Sequence, residues 1–179
     1  MQAPEKIILE DSFNTHQKVH MLGLASPIPI FLADLSFSNL NWKGDLLVFF
    51  LFSILAVVVL FAFSKKGFIK ANGKLYKAKF FRGQVLSRKK INLEDRPVVS
   101  ILKFKKRRKY AFFAAAQPDM AYGFNAFEVY ALNEHHLKRD LLMRLTSEEI
   151  AQRALEFLGT GLELRHEVFS PNFGYRVRR

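Results

Sequence analysis

LLVFFLFSILAVVVLFAF, residues 46–63, decides the architecture of this 179-residue chain. The run holds no charge, no Pro and no Gly, and its only hydroxyl is Ser53. As an α-helix rising 1.5 Å per residue it is roughly 27 Å long, close to the thickness of the bilayer hydrocarbon. A helix on the surface of a soluble core keeps a polar stripe, and this run has none. A transmembrane helix is therefore expected, with a fully buried core helix or strand pair as the alternative. Trp42 and Lys43 flank one end, and Ser64, Lys65 and Lys66 the other, as suits two membrane–water interfaces.

Charge is distributed unevenly about this run. Residues 1–43 carry three Lys/Arg against four Asp/Glu, and residues 44–64 hold only Asp45. From Lys65 to Lys109 there are 17 Lys/Arg against Glu94 and Asp95, a net +15, and the remainder of the chain is again slightly acidic. The cations nearest the span thus follow it, and the positive-inside rule places the C-terminal part in the cytoplasm. The charged start MQAPEKIILED and the late apolar run argue against a cleavable signal peptide. No cysteine is present, which excludes disulfides, thiolate metal sites and cysteine nucleophiles.

A second apolar stretch, MLGLASPIPIFLADLSF at residues 21–37, is interrupted by Pro27 and Pro29 and carries Asp34. It reads either as the first arm of a helical hairpin, with SNLNWKGD as the connector, or as a re-entrant or interfacial segment. The hairpin puts the N-terminus in the cytoplasm and a single span puts it outside.

After Lys66 the hydrophobic pattern alternates, as in strands. Asn72-Gly73 tolerates positive φ at both turn positions and predicts a two-residue hairpin between residues 68–71 and 75–81. Further strands are expected at 84–91, 97–104, 110–116, 124–132 and 137–145, about seven in all. In TSEEIAQRALEFLG, Thr146 is the expected N-cap, with Glu149 completing a capping box. Ile150, Ala151, Ala154, Leu155 and Leu158 share one helical face, and Gly159 offers a left-handed stop.

This order resembles the membrane-anchored bacterial pleckstrin-homology-like (PH-like) domains. The residues that carry it are the apolar span 46–63, the hairpin FIKANGKLYKAKFF, the strands on either side of KKRRK, and the closing TSEEIAQRALEFL. The resemblance implies an α+β protein: an N-terminal transmembrane helix or hairpin within residues 1–64, then a domain at 65–160 made of two antiparallel sheets. A barrel-like sandwich of about seven strands would be plugged by the C-terminal helix. Residues 161–179 would follow as a tail.

No catalytic pattern accompanies this architecture. The histidines, at 16, 20, 135, 136 and 166, have no HExxH spacing, and neither a GxSxG elbow nor a glycine-rich phosphate cradle occurs. No enzyme activity, cofactor or metal is expected. The basic block remains: Lys89 and Lys90, and the run Lys105, Lys106, Arg107, Arg108 and Lys109 between Phe104 and Tyr110, expected at a hairpin tip. As solvated strand faces these cations need no ligand. As a binding face they suit anionic inner-leaflet lipids or an acidic protein surface. Nucleic acid is the competing partner, with Tyr110, Phe112 and Phe113 as stacking side chains. The expectation is a non-enzymatic docking module at the bacterial inner membrane, its partners being the membrane, anionic lipid or a membrane protein.

Overall fold

The computed structural model describes residues 4–36, 41–108, 122–162 and 164–171. It is a mixed α+β chain of eight strands and four helices among those residues. In order these are β1 (Glu5–Asp11), α1 (Thr15–Ala25), α2 (Pro27–Ser36), α3 (Trp42–Ala62), β2 (Lys65–Ala71), β3 (Lys74–Phe81) and β4 (Gln84–Ile91). Then follow β5 (Val98–Arg108), β6 (Tyr122–Leu132), β7 (Arg139–Leu145), α4 (Glu148–Gly159) and β8 (Arg165–His166). The strands form two four-stranded sheets, ordered β1-β2-β3-β4 and β7-β6-β5-β8. Among the described residues neither closes into a barrel. The chain divides into two compact units, Met1–Ile7 with Phe68–Lys77 and Lys89–Arg179, and Ile8–Gly67 with Ala78–Arg88.

The second unit holds the apolar helices. α3 covers the expected span, and its 21 residues reach roughly 31 Å. Asn41 caps it, its side chain accepting from the Gly44 N–H at 3.2 Å, and the one mid-helix hydroxyl, Ser53, donates to the Phe49 carbonyl at 2.8 Å. Only 6% of this candidate span is buried, and Phe49, Phe50 and Phe52 are all exposed. The stretch from Thr15 to Leu35 is likewise long and apolar enough to cross a membrane, with mean hydropathy 1.2 against 2.8 for α3. It begins six residues before the expected apolar segment, under an Asn14–Gln17 capping box. Pro27 does not destroy this helix; it stands at the first position of α2, where its missing N–H is no loss. α1 and α2 both pack on α3.

The two arms return to one place. The Ser12 N–H donates to the Ser64 carbonyl at 2.9 Å, and Lys66 pairs with Glu10 at 2.8 Å. Farther along, Lys70 pairs with Glu5 at 3.1 Å, so β1 and β2 run antiparallel as sheet neighbours. The helices are thus an insertion in the connection of a β-hairpin. A bilayer crossed once between β1 and β2 would separate paired strands; the crossing is made twice or not at all.

The first unit carries the second sheet and α4. β5 and β6 pair antiparallel through the whole of Val98–Arg108, from Val98 opposite Leu132 to Arg108 opposite Tyr122, and β6 pairs antiparallel with β7. β8 adds a short parallel edge on Val98 and Val99. Val98, Val99, Val129, Ala131, Leu132, Met143 and Leu145 are buried, and α4 packs on this sheet through Ala151, Ala154, Leu155, Phe157 and Leu158. Each fully buried Leu, Val or Phe contributes about 1.5–3 kcal/mol of transfer free energy. Lys70 is buried here: its ammonium lies 3.9 Å from the centre of the Phe157 ring and donates to Glu5 and to the Thr160 carbonyl.

Several expectations are corrected. β1 precedes the helices, where no strand was expected, and β8 follows α4. Lys105 to Arg108 belong to β5, which continues to Arg108 opposite Tyr122 of β6 and does not end at Phe104. The expected strand at 110–116 and Lys109 lie outside the described residues. The N-cap of α4 is Ser147, not Thr146, and the Ser147 side chain makes no capping hydrogen bond. Gly159 ends the helix without leaving it, and the positive φ (74°) falls on Gly161. Both two-residue turns are left-handed throughout, Asn72-Gly73 at 52° and 67° and Arg82-Gly83 at 49° and 83°.

Two outcomes are expected. Lys70→Ala destabilises the full chain in detergent by about 1–3 kcal/mol, because a charge-assisted donor is lost, and Lys70→Met, which keeps the stem packed on Phe157, loses less. In sealed membranes, single cysteines replacing Pro4 and Lys138 react with an impermeant maleimide from the same side, and one replacing Lys43 reacts from the opposite side.

Candidate membrane-facing surface

The chain passes from strand to helix without a linker. Three residues separate Asp11, the end of β1, from Thr15 at the start of α1, and only Phe63 and Ser64 separate α3 from β2. Ser64 is fully buried, its N–H and hydroxyl both donating to the Phe61 carbonyl, which closes the last turn of α3 at the point where the strand begins. The geometry gathers cations and phenyl rings at this junction. Lys79 of β3 stands 5.1 Å from the Phe61 ring centre and 5.8 Å from that of Phe13. Lys18 of α1 stands 5.7 Å from the Phe63 ring and pairs with Asp11. An ammonium over a ring face is held by the ring quadrupole, and its long stem covers apolar surface while the charge stays at the polar end. This arrangement suits a membrane–water boundary.

Sequence reasoning counted Lys18 and Lys79 only as charges flanking the apolar run and did not mark them as contacts of this junction. Lys18 lies 47 residues before the basic block's Lys65, and no local spacing reveals that the fold returns it to Phe63. Lys79 was legible only as one cation of the block; Phe80 beside it is fully buried, so the strand alternation could have shown that Lys79 faces the other way.

The expected site residues fall into two groups. Lys89 and Lys90 are exposed near the end of β4, an edge strand of the first sheet. Lys105, Lys106, Arg107 and Arg108 are at the far end of β5 in the second sheet, with Lys105 exposed. Lys103, two residues before, pairs with Glu148 at the start of α4 at 3.7 Å and stands 5.3 Å from the Phe127 ring. Beyond Val99 no described strand covers the outer edge of β5. Lysines on open edges also discourage edge-to-edge pairing of sheets, so part of this charge serves solubility.

Glu128, buried on β6, accepts from Arg144 at 2.9 Å and from the Tyr130 hydroxyl at 2.7 Å. His136, buried in the β6–β7 turn, accepts the Ser170 N–H at Nδ1 (2.9 Å) and meets Glu167 at Nε2 (3.2 Å), a pattern that puts its proton on Nε2. Its ring stacks on Phe169. The histidine thereby fastens Glu167, Phe169 and Ser170 to the β6–β7 turn. A cavity of about 610 Å³ is bordered by Gly73, Asp95, Arg96, Asn133 and Leu164. Its Arg96 is already engaged by Asp140 at 2.8 Å and by the Asp95 carbonyl, so the charges there neutralise one another. Among the described residues no group of three or more His, Asp or Glu is placed to hold a metal ion.

The chain matches no known protein family, no curated protein and no solved structure.

The Tyr130 phenol is pushed above its ordinary value of 10.0, first by burial, then by its hydrogen bond to Glu128 and the negative charge of that carboxylate, with Arg139 and Arg144 opposing. A proton held more tightly when folded gives stability that is present below the ordinary value and lost as pH rises through the folded one. Tyr130→Phe is expected to remove a late-titrating component from the ultraviolet phenolate titration and to flatten the alkaline loss of stability.

Proposed function

We propose that this protein is a membrane-anchored, non-enzymatic docking module, inserted in the bacterial inner membrane by a two-helix hairpin. Its β-domain lies in the cytoplasm and meets anionic lipid, a protein partner or both through a basic surface. The observation that carries this reading is the pairing of β1 with β2 across two apolar helices. With both arms joined directly to one sheet, the domain stays at the bilayer, and its charge acts on what is found there. The charge balance supports the cytoplasmic placement, since the cations gather in the sheet and not in the connector between the helices.

A PH-like domain is the fold this reading favours. Two sheets with antiparallel hairpins, followed by a helix after the last long strand, support it, with β1 counted as a strand and the helical hairpin inserted after it. Lys89, Lys90 and Lys105 to Lys109 are the contacts proposed for lipid or partner. For a domain already anchored, each cation at an anionic surface contributes about 1 kcal/mol, which orients it more than it adds affinity.

A fragment starting at Lys65 would lack β1 and the partners it gives to β2, so the test uses the full chain. Purified from mixed-lipid membranes, it is expected to retain anionic over zwitterionic lipid. Replacing Lys89, Lys90, Lys105 and Lys106 by Glu is expected to abolish the enrichment. Retention that ignores headgroup charge would refute the lipid contact, and tight, salt-dependent RNA binding would move the assignment to a membrane-tethered nucleic-acid binder.

A further inference from the structure

We infer that the tip of the β3–β4 hairpin, Phe81 to Leu86, is a second membrane contact that seats two apolar side chains and flanking cations in an anionic phospholipid surface. The inference rests on the membrane reading above and assigns it a site. Its position follows from Lys79, which precedes the tip by two residues and stands over Phe61 in the last turn of α3 and over Phe13 just before α1. The tip is therefore at the level where the apolar helices end, within the same compact unit.

Its side chains are those of an interfacial element. β4 is exposed at every residue from Gln84 to Lys90, and Val85 and Leu86 are 45% and 42% exposed. Adjacent strand residues point to opposite faces, so the tip leaves an aliphatic side chain exposed on each face. A solvated hairpin end would carry polar residues at both positions; two adjacent aliphatic side chains beside two apolar helices continue the same apolar surface. The turn makes the same point. Arg82 adopts φ 49°, a conformation that Asn or Gly takes more readily, so turn geometry does not explain an arginine there. Its guanidinium stands 5.8 Å from the Phe81 ring. Lys79, Arg82 and Arg88 put positive charge on both arms around Val85 and Leu86, which complements anionic headgroup phosphates above an acyl boundary.

The chain has no cysteine, so a single introduced thiol reports one position. Full-length protein with cysteine in place of Val85, Leu86, Ile54 or Lys138 is labelled with a polarity-sensitive fluorophore. It is then reconstituted in phosphatidylcholine bilayers with or without phosphatidylglycerol, and quenched by lipids spin-labelled near the headgroup or deep in the chain. The expected result is a blue-shifted label at Val85 or Leu86, quenched by the shallow lipid, with Lys138 unquenched and Ile54 quenched by the deep lipid. In the labelled Leu86→Cys protein, Arg82→Glu with Arg88→Glu is expected to reduce the shallow quenching. Labels at Val85 and Leu86 that behave like the one at Lys138, while Ile54 is quenched, overturn the hairpin contact alone. An unquenched Ile54 overturns the anchor and this inference with it. Shallow quenching equal in neutral and anionic bilayers overturns the assignment of an anionic surface.

Discussion

Everything in this fold depends on one strand pair, β1 with β2. The two strands are separated by 53 residues, most of them in helices, yet they are joined by the Ser12–Ser64 backbone bond and by the Glu10–Lys66 and Glu5–Lys70 pairs. Backbone groups in a sheet must find partners, and a strand on the far side of a bilayer has none to offer. The pairing therefore links the parity of membrane crossings to the integrity of the sheet. It also makes residues 5–11 part of the β structure, although any division of the sequence by composition assigns them to the anchor.

The same constraint explains the chemistry at the junction. Strands that lead straight into helices leave no spacer to hold charged side chains away from the apolar surface. Lys18, Lys66 and Lys79 accordingly lie against phenyl rings or acidic partners, where their stems pack and their charges stay compensated. Ser64 closes the α3 carbonyls in the space of one residue. Farther from the helices, Lys70 serves a structural end, fastening β1, β2 and the end of α4 through Glu5, the Phe157 ring and the Thr160 carbonyl. A block with a net charge of +15 is thus heterogeneous. Some of its cations are structural, and others stand on open strand edges.

The sequence by itself determined what depends on local pattern: the span 46–63 from its unbroken apolarity, the Asn72-Gly73 turn from its tolerance of positive φ, and the amphipathic helix after residue 146 from its period. Strand positions from 68 to 104 and from 124 to 145 were also legible, because alternation is written residue by residue. Tertiary structure decided what depends on partners distant in the chain. KKRRK looked like a hairpin tip because apolar residues flank it on both sides, but β6 pairs through Arg108 and carries the strand on. EKIILED was read only as a charged start, and it is a strand because β2 pairs with it. Thr146 lost the cap to Ser147 because packing of α4 on β5, β6 and β7, not the capping motif, sets where the helix starts. Side-chain periodicity is local and survives reading in one dimension; pairing, capping register and the gathering of Lys18 and Lys79 at the helix ends are contacts, and contacts exist only once the chain has folded.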